Sequence, residues 1–188
     1  MPLGDPELVR EIGAQGHTIG THTWSHSNLK RLSEESMKAE IESGFTAVEK
    51  AAGHPVAPFF RYPYLSHSQA TIAYLQSRNF AQFAVDIDSF DWRTRNAQRV
   101  VSRVMAGLGH RGRGIILLHD IHPSTATAVP SLLALLRANH YKVVHLKPKT
   151  AVETIATYQP PLKERRDAST HRRVVHAKRP PTSWTWPW

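Results

Sequence analysis

From residue 5 to residue 147, apolar runs at helical spacing alternate with short β-rich runs, and this rhythm constrains the chain more than any other feature. Strand, helix, strand in repetition is the pattern of parallel βα units, whose strands need crossover helices. Asp5 reads as an N-cap ahead of Pro6, with Leu8, Val9 and Ile12 as an apolar stripe and Gly16 as the stop. Residues 17–21 read as a first strand. Ser33 opens a helix in which Met37, Ile41, Phe45, Val48 and Ala52 recur on one face before Gly53. Residues 58–61 follow as a strand, 69–78 as a helix and 80–86 as a third strand. A helix near 97–108, a strand at 114–118, a helix carrying Leu132, Leu133, Leu135 and Leu136, and a last strand at 142–146 complete a five-stranded α/β pattern.

The unusual polar residues fall where these strands end. His22 and His26 follow the first, Arg61 the second, Asp86, Asp88 and Asp91 the third, and His119 and Asp120 the fourth. The carboxyl ends of the strands are where βα barrels and open α/β sheets build their sites. Neutral imidazole is the commonest protein ligand for zinc and similar metals, although a catalytic zinc usually takes three protein ligands. Read alone, the histidine pair leaves metal ligation and two ordinary polar histidines both open.

Composition narrows the classes. A chain of 188 residues fits one domain plus a tail. No apolar run approaches the roughly 20 residues of a membrane span, and no signal peptide is visible at the start. With no cysteine, thiolate metal sites and cysteine nucleophiles are excluded. The net charge of +9 is concentrated in residues 159–188, where seven basic side chains oppose Glu164 and Asp167. The basicity is therefore poor evidence for a nucleic-acid-binding fold. We divide the chain into a domain over 1–158 and a basic, Pro- and Arg-rich tail over 159–188, expected to be disordered.

In order, His22-x-x-x-His26, Arg61-Tyr-Pro63-Tyr64, Asp88-Ser-Phe-Asp91-Trp92 and Leu117-Leu-His119-Asp120 resemble the successive motifs of the polysaccharide deacetylases, the NodB-homology family. The resemblance runs over residues 6–147. It implies a metal-dependent hydrolase that removes acetyl groups from N- or O-acetylated glycans such as chitin or peptidoglycan. His22 and His26 would be ligands of a divalent metal, usually zinc, which polarises the acetyl carbonyl and activates a water. The Tyr64 backbone N–H would help hold the oxyanion. His119 would be the general acid, with Asp91 fixing its tautomer and raising its pKa. Trp92 and Leu117 would wall the acetyl methyl, and Arg61 would orient the catalytic base. The bland readings stay open beside these: Asp91 as a helix cap, Trp92 and Leu117 as core, Pro63 and Tyr64 as turn formers. Asp86 and Asp88 carry no family role, Asp120 serves its loop, and His122 holds no motif position.

The family's Thr-Phe-Asp-Asp-Gly-type segment, source of the base and the third ligand, does not occur in this sequence. The expectation is an N-terminally truncated domain with an incomplete (β/α) barrel, about five of seven strands, inactive by itself. Family members are often periplasmic, secreted or envelope-associated. Two other readings remain: a non-catalytic remnant that binds glycan or metal, and an interaction protein acting through its basic tail.

Overall fold

The structure is a computed structural model that describes residues 5–158; the tail expected at 159–188 lies outside them. Helix α1 (Pro6–Ala14) starts where Asp5 accepts the Leu8 N–H at 3.1 Å. Helix α2 (Glu34–Ala52) begins at Ser33, whose hydroxyl accepts the Ser36 N–H, and stops at Gly53 in the left-handed region. Strand β1 (Phe59–Arg61) pairs in parallel with β2 (Ala81–Phe83), and α3 (Gln69–Ser77) crosses between them. Strand β3 (Ile87–Asp88) pairs in parallel with β4 (Ile116–Leu117) across α4 (Ala97–Arg111), and α5 (Pro123–Ala138) follows.

Two apolar cores hold this together. In the first, Leu29, Ile41, Phe45, Phe60, Leu75 and Phe80 bury the inner face of α2 against β1 and α3. In the second, Ile87, Val100, Val104, Leu108, Leu132 and Leu136 zip α4 to α5. Full burial of side chains of this size stabilises by about 1.5–3 kcal/mol each. A polar tie crosses the first core. Glu42, wholly buried on α2, accepts from Arg78 Nε at 2.7 Å, from Arg78 Nη2 at 3.1 Å and from the Tyr74 hydroxyl at 2.8 Å. Arg78 also donates to the Glu153 carbonyl, which fastens residues 151–158 to the domain.

The five expected strands are corrected in three places. Residues 17–21 make a single parallel bridge, Thr21 with Phe60, and otherwise only ladder-like bonds such as Ala57 N–H to the Ile19 carbonyl. The third strand, expected over 80–86, shrinks to β2, and β3 begins beyond it at Ile87 and joins a different sheet. Residues 142–146 form no strand. Their backbone has no sheet neighbour among the described residues, and the segment meets residue 18 by side chain: the Thr18 hydroxyl donates to the Leu146 carbonyl and receives the His145 Nε2–H, both at 2.6 Å. The result among the described residues is two two-stranded parallel sheets and no closed barrel. No described helix is long and apolar enough to cross a membrane.

Candidate active site

The loop 21–26 carries the histidine pair and is clamped to α2. Gly44 makes the approach possible, because a Cβ there would lie 2.4 Å from the Thr23 carbonyl carbon. Around that contact Trp24 N–H donates to the Glu40 carbonyl at 2.9 Å. Ser25 gives its N–H and hydroxyl to the two Glu40 carboxylate oxygens at 2.8 and 2.6 Å. Thr23 and His26 both take positive φ, at 67° and 61°, and the Thr23 hydroxyl accepts the His26 N–H. These bonds hold in place a turn that non-glycine residues seldom adopt.

His22 Nδ1–H donates to the Arg61 carbonyl at 2.5 Å, which fixes the tautomer and turns Nε2 outward as a lone-pair donor. Burial pushes the His22 pKa down to about 4; the Arg61 carbonyl bond opposes this, while the charges of Arg61, His26 and His119 add to it. His26 is lowered too, by burial first and then by Arg61. Both rings are thus neutral near pH 7, the form a metal requires. Their centroids are 4.9 Å apart, and the Tyr64 ring meets His26 edge-on at 4.8 Å. Tyr64 is 66% exposed with φ at 57°, at the head of the turn that follows β1. The Arg61 guanidinium is held below its usual pKa by burial and has no ion-pair partner among the described residues.

The other half of the site stands on the second sheet. Asp91, fully buried after β3, receives His119 Nδ1–H at 2.7 Å, His119 N–H at 2.5 Å and the Thr125 hydroxyl at 2.8 Å. Burial alone would raise the carboxyl, but these three bonds outweigh it and hold the pKa below the ordinary value. The helix-cap reading of Asp91 gives way to this, since Asn96 caps α4. Trp92 is 49% exposed beside Phe90 and beneath the Arg93 guanidinium, whereas Leu117 is buried on β4 opposite Asp88. Asp86 accepts the Ile115 N–H and Asp88 the Phe90 N–H, so both serve the backbone. His122 immediately precedes α5, its ring 6.2 Å from that of His119.

A site for a divalent metal needs more than two imidazoles. No group of three or more His, Cys, Asp or Glu able to hold a metal occurs among the described residues. The outward Nε2 of His22 and the adjacent His26 fit such an ion as a partial ligand set. Sequence reasoning missed Thr125, Glu40 and Gly44; of these only Gly44, a glycine inside a long helical pattern, left a signal.

The T48 deacetylase, solved with substrate, is 30% identical, with 74% of this chain and 67% of that one covered and a TM-score of 0.64. The chain belongs to the polysaccharide deacetylase family. The polysaccharide deacetylase family model matches residues 3–83, which hold His22, His26, Arg61 and Tyr64. The peptidoglycan deacetylase of Bdellovibrio bacteriovorus is 35% identical with a TM-score of 0.71, covering 78% of this chain and 41% of that one. Chitin deacetylase 1 of Saccharomyces cerevisiae is 33% identical over 121 residues, 61% of this chain and 40% of the yeast protein. The chain therefore spans less than two thirds of the curated relatives it matches first, from 53% of one down to 29% of another. Even so, polysaccharide deacetylase membership accounts for the order of the motifs and for the strand ends on which they sit.

Proposed function

We infer that this chain carries the histidine pair and the acid half of a metal-dependent deacetylase acting on N-acetylated or O-acetylated glycans. The observation that carries the reading is the His119–Asp91 pair, locked by three hydrogen bonds and close enough to His22 and His26 for its charge to act on both. His22 and His26 would supply two of the metal's ligands, and zinc suits imidazole donors. When bound, the ion supplies a Lewis acid and an activated water. His119 Nε2 is the proton donor to the departing amine or alcohol oxygen, while Asp91 keeps Nδ1–H occupied. The Tyr64 N–H serves the oxyanion, Trp92 and Leu117 flank the acetyl methyl, and the desolvated Arg61 would orient a carboxylate base, which none of the described residues supplies to it. The relatives' names, as chitin and peptidoglycan deacetylases, support a structural polysaccharide as substrate, and with it a periplasmic, secreted or envelope location.

Among the described residues no Asp or Glu joins the histidine pair in a metal-holding group, and a positioned base is worth roughly 10²–10⁴ in rate. That observation favours a second reading, in which the chain by itself binds metal and acetylated glycan without turnover. Acetate release from an N-acetylated oligosaccharide with zinc tests the first reading. The expected rate is at most that reduced one, and His22→Ala or His119→Ala removes what remains. A rate untouched by both substitutions would sink the assignment.

A further inference from the structure

Between Asp91 and Asp120 the chain carries six arginines and no acidic residue or lysine. Three of them, Arg93, Arg99 and Arg103, line one open groove of about 980 Å³ along α4, which begins at Ser89 and Phe90 just ahead of Asp91. Arg99 and Arg103 are i, i+4 neighbours on one helix face, where like charges repel. An ordinary solvated face relieves that repulsion with interspersed acids, as α2 does with Lys38 and Glu34 at 2.6 Å. None of the groove's lining residues is acidic. Asp88, just ahead of the groove in sequence, turns its carboxylate to the Phe90 N–H.

Arg103 is braced by Nε–H to the Asp88 carbonyl at 3.2 Å and lies 3.9 Å over the Phe90 ring. Arg93 rests over Trp92 at 5.4 Å. The stacking leaves guanidinium edges open to solvent, and Arg99 has no ion-pair partner among the described residues. Planar guanidinium forks read carboxylate and phosphate two oxygens at a time, which lysine does not do.

We propose that this groove binds an anionic group, carboxylate or phosphate, carried by the glycan at a sugar beyond the one whose acetyl is removed. The substrate class is then an acidic glycan chain rather than a neutral one. This rests on the deacetylase reading above, and the groove's position beside Asp91 and Trp92 is what ties the two together.

Calorimetric titration of the full chain at low salt tests it with three oligosaccharides of one length: neutral N-acetylated, lactyl-carboxylate-bearing and phosphate-bearing. At least one acidic probe is expected to bind roughly tenfold or more tighter than the neutral one, and the tighter of the two identifies the anion. In the Arg93→Gln/Arg99→Gln variant that margin disappears while neutral affinity stays, which also shows the variant is folded. Ser102→Glu, which leaves every arginine in place, is expected to reduce the margin as well. Equal affinity for all three probes overturns the groove and leaves glycan binding standing. A margin that survives both variants overturns it too, since another surface then holds the anion. No binding of any probe overturns the glycan reading and the groove together.

Discussion

A methyl group at position 44 would meet the Thr23 carbonyl carbon at 2.4 Å and the Trp24 nitrogen at 2.8 Å, both backbone atoms that cannot swing aside. Gly44→Ala is therefore expected to cost about 2–3 kcal/mol by overpacking, despite the better helix propensity of alanine, and to loosen the turn that presents His22 and His26. Urea denaturation measures the first effect and metal affinity the second. Asp91 yields a pH-dependent expectation. Its folded pKa lies below the ordinary value, so the stabilisation is fully present above the unfolded pKa near 4 and is lost as pH falls through the folded one. Asp91→Asn is expected to lose about 1.5–3 kcal/mol at pH 7 and to unfold with a flatter acid limb, read by thermal melts from pH 7 to pH 2. At this scale the histidines, Arg61 and Asp91 were legible because their residue types are costly to place without a task. Thr125 and Glu40 were not, since an ordinary Thr or Glu signals nothing until the fold brings it to Asp91 or Ser25.

Helices announced themselves far better than strands. Asp5, Ser33 and Gly53 mark the ends of α1 and α2 as capping chemistry dictates, and the apolar stripe of α2 is the stripe it buries. Strands of two or three residues carry too little period to fix a partner, and pairing depends on chain that is distant in sequence. Residues 80–86 illustrate this: only Ala81–Phe83 hold a register, which ends where Phe83 faces Arg61, and pairing resumes beyond the run, where Ile87 meets Ile116. The Glu42–Arg78 tie between α2 and α3 was equally illegible, a charge on a helix face being normally solvated. Glu42→Ala leaves Arg78 without its buried carboxylate and is expected to destabilise by about 3–5 kcal/mol. Equilibrium unfolding checks the magnitude, and hydrogen exchange is expected to show the loss first in α3.

Across the whole molecule the site is divided between two cores. The histidine pair and Tyr64 depend on the core around α2, and His119 with Asp91 on the core between α4 and α5. Metal binding should accordingly answer to the first half and leave the second nearly untouched. Zinc titration followed through the imidazole NMR signals tests this most directly. The account predicts 1:1 binding that shifts the His22 and His26 resonances, falls roughly tenfold or more in His22→Ala or His26→Ala, and survives in Asp91→Asn. Zinc that leaves those two resonances unmoved, or binds equally well to His22→Ala, would contradict it.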